Sequence, residues 1–203
     1  MDRYFQIARC FRDEDLRFNR QPEFTQIDLE MSFASEEDVF AICEGMFAAM
    51  FKAGGNFELP ARFPRLSWQQ AMAWYGTDKP DLRFELKLCD VSRLLRAGNA
   101  PWAIAALERG ELAMGLVTEP GAELSRKELN EIEELAKQKG LGGLSWAKWG
   151  SEGLSGPLAK FIPAEMLPQA APELGWQPGG LLFAAVGPAR RLQLAMGAIR
   201  LEL

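Results

Sequence analysis

The sequence predicts an α+β fold made of two unlike parts, and three observations lead to that prediction. Two strand-like stretches joined by a charged connection fill the first 32 residues. Two helix-start signals follow, and from about residue 80 strand-like and helical stretches alternate. With 48% hydrophobic and 25% charged residues, the 203-residue chain has the composition of an ordinary globular protein.

The first part is predicted to begin with a long antiparallel hairpin. Residues 4–12 and 22–32 are rich in β-favouring side chains, and residues 13–21 between them are charged and polar. Alternation assigns the side chains to two faces. The apolar face carries Phe5, Ile7, Phe11, Thr25, Ile27 and Leu29. The other carries Gln6, Cys10, Arg12, Glu14, Phe24, Gln26, Asp28 and Glu30, a pattern that a plain solvated surface does not explain.

Two helices are predicted after the hairpin. Ser35 begins the first, with acidic residues in its first turn that suit the helix dipole, and Gly54-Gly55 ends it. Its apolar stripe is expected to pack into a core; it consists of Val39, Ile42, Met46, Phe47 and Met50. Ser67 to Gln70 forms a capping box for a short helix that ends near Gly76.

The region after residue 80 is predicted to be a second α+β unit. The clearest helix begins at the capping box of Ser125 and Glu128 and runs to Gly140, and a last helix occupies residues 189–203. Strand-like pieces lie at 103–107, 112–118, 143–149 and 180–186.

The composition excludes several kinds of site. There is no histidine, which removes Ser-His-Asp and Cys-His nucleophiles, HExxH zinc sites and imidazole bases. The three widely spaced cysteines fit neither a disulfide framework nor a CxxC zinc site, so a reducing compartment, the cytoplasm, is expected. The net charge of −5 creates no overall cationic field, and no apolar run is long enough to predict a membrane contact.

The hairpin resembles a known family. Phe11-Arg12-Asp13-Glu14, followed by Arg20, Phe24 and Asp28 at spacings of four, resembles motif 2 of the class II aminoacyl-tRNA synthetases. The longer stretches 6–17 and 20–30 look specifically like bacterial-type aspartyl-tRNA synthetases, as does the run from Tyr75 to Arg83.

This resemblance implies a domain organisation. In that family the segment around Tyr75 to Arg83 leads into an insertion called the GAD domain, which the following residues resemble more loosely. Residues 1–80 would be part of the class II antiparallel catalytic sheet, 81–196 an α+β GAD insertion domain, and 197–203 a return helix toward the catalytic core. The family's anticodon-binding barrel, motif 1 and motif 3 are expected outside these 203 residues.

The resemblance also implies an activity and the residues that carry it. The family activates aspartate with ATP to aspartyl-adenylate and transfers it to tRNA. Arg12 would be the catalytic residue at the α-phosphate, where a planar, always-charged guanidinium suits the developing charge. The implied ATP site is Arg12, Asp13, Glu14, Arg20, Gln21 and Phe24, and the implied aspartate site is Arg12, Gln26 and Asp28. The loop 13–20 would meet the acceptor end of the tRNA.

Three residues of these segments need a separate interpretation. Phe18 and Asn19 stand where the family commonly has a small residue and then aspartate, a departure within the tRNA-contacting loop. For Lys79, a functional role and a purely structural role in a turn are both left as interpretations. Cys10 is interpreted as a small packing residue.

Cofactors and partners follow from the resemblance as well. ATP and Mg²⁺ are expected, with the magnesium ligands outside this chain and no metal site within it. Aspartate and tRNA(Asp) are the expected substrates, tRNA(Asn) is left open, and the parent enzyme is expected to be a homodimer. The chain alone is expected to be inactive. The alternatives are a GAD-type tRNA-associated binding module without catalysis and a non-functional remnant.

Overall fold

The structure is a computed structural model that describes residues 2–15, 17–119 and 124–203, arranged as an α+β fold. The chain forms two compact units, the first ending at Arg65 and the second beginning at Leu66. The predicted fold class is therefore confirmed. The predicted limits of the GAD insertion remain a prediction. Across the described ranges, none of the helices has both the length and the apolar character needed to cross a membrane.

The first unit begins with the predicted antiparallel hairpin. Strand β1 (Arg3–Phe11) pairs with β2 (Glu23–Met31) along its whole length. The register sets Gln6 opposite Asp28 and Cys10 opposite Phe24, so the predicted polar face forms as one surface.

The apolar face of the hairpin is open to solvent. Phe5, Ile7 and Phe11 keep 71%, 63% and 68% of their surface exposed. Within the described residues, β1 and β2 form a sheet of two strands. An isolated two-stranded sheet is only marginally stable in water, so the exposed apolar face contributes little to the stability of the first unit.

Helix α1 (Glu36–Gly55) begins and ends as predicted. Ser35 and Asp38 form a capping box, and Asn56 closes the helix in the left-handed conformation. The expectation that the apolar stripe packs into a core is not met, because Val39, Phe47 and Met50 are 39%, 41% and 47% exposed. The buried residue of this fully described helix is Glu44.

Glu44 links the segment that follows α1 to the helix through two hydrogen bonds. Its Oε1 accepts from Arg65 Nη1 at 2.6 Å and from the Phe63 backbone N–H at 2.8 Å. The hydrogen bond from Arg65 is the main reason that the pKa of Glu44 is lowered. The Arg65 guanidinium also lies 4.3 Å from the centre of the Phe40 ring.

The second unit is built on a five-stranded antiparallel sheet with the order β3-β4-β7-β5-β6. It follows helix α2 (Trp68–Tyr75), which is capped by Ser67 and ends at Gly76 as predicted. The strands are β3 (Leu88–Asp90), β4 (Leu112–Val117), β5 (Ser145–Gly150), β6 (Gly153–Ser155) and β7 (Leu181–Gly187).

Helices cover both faces of this sheet, because alternate residues of its central strands enter two separate cores. Leu116 and Phe183 pack with α5 and α7, and Ala113 and Leu182 pack in the core that contains α3, α4 and α6. These helices are α3 (Ser92–Ala97), α4 (Pro101–Glu108), α5 (Arg126–Gln138), α6 (Leu167–Leu174) and α7 (Ala189–Arg200).

One predicted element of this unit is wrong. The stretch 103–107 was predicted as a strand, but it lies inside α4. Pro101 supplies the pre-set first helical position, and the alanines that follow favour a helix over a strand. The short apolar run carried no periodicity that separates the two structures.

The end of α7 holds the segment that follows α2. Arg200, which is 1% exposed, donates to the backbone oxygens of Asp81 at 2.7 Å and Phe84 at 3.1 Å, and also to that of Leu86. Its guanidinium lies 4.0 Å from the Phe84 ring centre and 4.9 Å from that of Tyr75. Burial lowers the pKa of Arg200, while Tyr75 and Asp81 oppose that shift.

Candidate functional site

A cavity of about 490 Å³ opens where the polar face of the hairpin meets its connecting loop. It collects residues from the chain just after β1, the loop and the start of β2, which strand pairing and the loop turn bring together. Five of its lining residues were predicted as site residues. The lining consists of Arg12, Glu14, Phe18, Asn19, Arg20, Gln21 and Phe24.

Arg12 stands at the centre of this arrangement. It follows the last residue of β1, and its backbone N–H donates to Pro22 O at 2.8 Å, which extends the ladder by one bond. Its guanidinium carbon lies 5.3 Å from the centre of the Phe24 ring, within the range of a cation–π contact. A cation and an aromatic face therefore stand side by side.

Glu14 joins the two arginines of the cavity. Arg20 Nη1 donates to its carboxylate oxygens at 3.2 and 3.3 Å, and Arg12 Nη1 lies 3.9 Å from Oε1. The Glu14 side chain is 21% exposed, whereas those of Arg12 and Arg20 are 60% and 47% exposed. The three charges leave one net positive charge at the opening, which suits a polyanion.

Asp28 and Gln26 continue the same face along β2, beyond the cavity. Gln6 Nε2 donates to Asp28 Oδ2 at 2.9 Å, and the Cys10 thiol lies 3.9 Å from Gln26 Oε1. Gln6 was predicted to lie on this face, without a role in the site. The signal that could have found it is the register, which sets Gln6 directly across from Asp28.

Comparison with known proteins decides the family. The family model described as tRNA synthetases class II (D, K and N) matches residues 1–170. The chain belongs to this class II tRNA synthetase family. Over its full length it is 47% identical to an aspartate–tRNA ligase of Deinococcus deserti and 42% identical to one of Geobacillus kaustophilus. It is 43% identical to an aspartate–tRNA(Asp/Asn) ligase of Helicobacter pylori.

The chain spans about a third of the length of these relatives, between 34% and 36%. The prediction of a fragment-length match to an aspartyl-type class II synthetase is confirmed. Nothing in the comparisons favours the alternative of a binding module without catalysis.

Asp13 and Cys10 belong to the hairpin but do not line the cavity, and Lys79 belongs to the second unit. Asp13 is exposed. Cys10 is partly buried beside Gln26. Lys79 lies in the second unit, is exposed, and its backbone N–H donates to Thr77 Oγ1 at 3.2 Å, which is turn chemistry.

Magnesium is the metal that the family resemblance implies beside ATP. Throughout the described ranges, no group of three or more aspartate, glutamate or cysteine side chains is arranged to hold a metal ion. The described residues therefore do not by themselves form a magnesium site.

Proposed function

We propose that the chain supplies the ATP side of the adenylate-forming site of an aspartate–tRNA ligase. The observation that carries this proposal is the grouping of Arg12, Arg20 and Phe24 around one cavity. Two guanidinium groups beside an aromatic ring match the two chemical parts of ATP, its phosphates and its base. The relatives named aspartate–tRNA ligases support the choice of reaction.

The first reaction is a displacement at phosphorus. A carboxylate oxygen of aspartate attacks the α-phosphorus of ATP, a new O–P bond forms, and the bond to the bridging oxygen of the β-phosphate breaks as pyrophosphate leaves. Negative charge grows on the equatorial oxygens, and a preorganised cation lowers the barrier most at that place. We assign Arg12 to the α-phosphate and Arg20 to the γ-phosphate and the leaving pyrophosphate.

Glu14 acts in this proposal as the temporary partner of both arginines. Its contacts with Arg12 and Arg20 hold the two cations at the cavity before ATP arrives. When ATP binds, its phosphates replace Glu14 as the partners of the two guanidinium groups. The Glu14 carboxylate can then accept a hydrogen bond from the amino group of adenine. Gln21 lines the same cavity and offers a further polar contact.

Aspartate would lie along the face beyond the cavity, near Asp28. A carboxylate there pairs with the α-ammonium of the substrate. Gln26 is the next residue of β2 on the same face, in the direction of Arg12. The hydrogen bond from Gln6 fixes which oxygen of Asp28 faces the substrate.

The second reaction would transfer the aspartyl group to the 3′ end of tRNA(Asp). Relatives named for Asp/Asn support tRNA(Asn) as a second substrate. We further propose that the parent enzyme is a cytoplasmic homodimer. The GAD insertion is proposed to occupy residues 81–196.

The test is ATP binding by the 203-residue chain, measured by isothermal titration calorimetry, together with aspartate-dependent ATP–pyrophosphate exchange. We expect binding without exchange, because the loss of a single stabilising donor in such a site costs about a hundredfold or more in rate. Arg12→Ala should weaken ATP binding about tenfold, the equivalent of one charge-assisted hydrogen bond.

The matched control is Arg9→Ala. Arg9 lies on the same strand but on the opposite face, where it pairs with Glu23. ATP binding should be unchanged in this variant. A chain that melts cooperatively yet binds no ATP, or loses equal affinity in both variants, overturns the proposal.

A further inference from the structure

The loop of the hairpin presents an aromatic side chain that the proposed function leaves without a task. Phe18 lines the cavity together with Phe24 and Arg12, yet it is fully exposed, at 109% of its reference surface. In the described residues it therefore buries nothing of its own ring. An isolated exposed aromatic residue is ordinary, so exposure alone decides nothing.

The backbone around Phe18 forms a closed turn. Arg20 N–H donates to Arg17 O at 3.1 Å and closes a β-turn in which Phe18 and Asn19 are the two central residues. Turn chemistry favours proline or small polar residues in the first central position and gives no reason for a phenylalanine. Neither local structure nor burial accounts for the ring at the cavity.

The surroundings of the ring identify the chemistry that would cover it. Phe24 lines the same cavity with a second aromatic ring, and Arg12 and Arg20 supply cations for phosphate groups. A flat, uncharged base attached to phosphates satisfies all of these groups at once. Stacking of a base on an aromatic side chain tolerates any purine or pyrimidine and contributes strongly to affinity.

We infer that Phe18 is a stacking residue for an adenine base that enters this cavity, so that the base lies between the turn and β2. The inference rests on the proposed function, since adenine is the base of ATP and also the last base of a tRNA acceptor end. The two sources share one chemistry. They differ in whether the base arrives with a triphosphate or at the end of an RNA strand.

The test compares Phe18→Ala with Phe33→Ala in the full chain. Phe33 is equally exposed, at 107%, but does not line the cavity. ATP is titrated in one arm. In the other arm the titrant is an RNA microhelix ending in CCA, compared with the same microhelix lacking its terminal A.

We expect Phe18→Ala to weaken one of these ligands about tenfold, and Phe33→Ala to weaken neither. Loss confined to ATP assigns the nucleotide, and loss confined to the CCA-ended microhelix assigns the tRNA end. Phe18→Trp should retain binding and Phe18→Leu should lose it, because a flat ring is required. Unchanged binding of both ligands by Phe18→Ala overturns the inference.

The two proposals fail in different ways. If the chain binds ATP and Arg12→Ala weakens it while Phe18→Ala affects neither ligand, the inference alone is wrong. If the wild-type chain binds no ATP, the proposed function is wrong. The microhelix titration then still tests the role of Phe18. If Phe18→Ala no longer distinguishes the microhelix with a terminal A from the one without it, the inference is supported. If Phe18→Ala binds both microhelices as the wild type does, the inference is overturned.

Discussion

The guanidinium carbon of Arg12 lies 5.3 Å from the centre of the Phe24 ring. The cation thus rests against the aromatic surface that the proposed function gives to adenine. A cation–π contact at an exposed site is worth about 0.5–1 kcal/mol, less than the 1.5–3 kcal/mol of a hydrogen bond to a charged group. ATP can therefore draw Arg12 to its phosphates and leave the ring free for the base.

This exchange predicts the effect of changing Phe24. Phe24→Leu should weaken ATP binding about tenfold, because a branched aliphatic side chain cannot stack on a base. Phe24→Tyr keeps the ring and should bind within about twofold of the wild type. Calorimetric titration with ATP measures both variants, and equal affinities for leucine and phenylalanine would contradict a stacking role.

The hydrogen bond between Gln6 and Asp28 gives a prediction for the amino-acid end of the site. Gln6→Ala should weaken binding of a stable aspartyl-adenylate analogue, the sulfamoyl compound, by about fivefold to tenfold. The affinity for ATP should stay the same, since ATP has no α-ammonium group to place against Asp28.

Thr25→Ala is the control for Gln6→Ala, because Thr25 lies on the opposite face of the hairpin. Both ligands should bind this variant normally. An equal loss of ATP and analogue in Gln6→Ala would instead indicate damage to the whole hairpin and would remove the argument for a positioning role.

Much of the fold is readable from local signals in the sequence. The three capping boxes at Ser35, Ser67 and Ser125 each begin a helix where predicted. The alternation along the hairpin sorts its two faces, because a period of two has a single solution once the strands pair. These features depend on neighbours within a few residues.

Features that depend on residues far away in the chain could not be predicted from the sequence. The stripe of α1 reads as a core face, but how far it is buried depends on what packs against it, and in the described chain it stays partly exposed. Arg200 looks like an ordinary surface cation at a helix end until Asp81 and Phe84 are seen around it. Gln6 became notable only when the register set it across from Asp28.

Arg200 provides a prediction about the stability of the second unit. Arg200→Met keeps an unbranched apolar stem but leaves three backbone oxygens without their donor. We expect a loss of about 2–4 kcal/mol, measured by urea unfolding. Arg190→Met, an exposed position at the start of the same helix, should change stability by less than about 0.5 kcal/mol. Equal losses would show that the buried contacts are not the cause.

A close approach between α2 and α7 gives a second stability prediction. A Cβ atom added at Gly197 would lie 2.7 Å from Tyr75 O and 2.8 Å from Gly76 O, and backbone atoms cannot move aside as a side chain can. Gly197→Ala should therefore destabilise the unit by about 1–3 kcal/mol. In Gly142→Ala the added atom meets open space, and its melting temperature should match the wild type within about 2 °C.

Asp81 makes the stability of the same segment depend on pH. Arg83 Nε donates to the Asp81 oxygens at 2.9 and 3.0 Å, and this pairing is the main reason that the pKa of Asp81 falls from 3.8 to about 2. A carboxyl group whose pKa is lower in the folded state favours folding when it is ionised. Its contribution is therefore complete above pH 3.8 and is lost as the pH falls toward about 2.

The measurement is the difference in melting temperature between the wild type and Asp81→Asn as a function of pH. The wild type should melt higher near neutral pH, and the difference should shrink as the solution is acidified through that window. Asp78→Asn, an exposed position in the same segment, should track the wild type at every pH. A difference that stays constant down to pH 2.5 would mean that the ionised carboxylate of Asp81 does not stabilise the fold, and that Arg83 holds this segment through another contact.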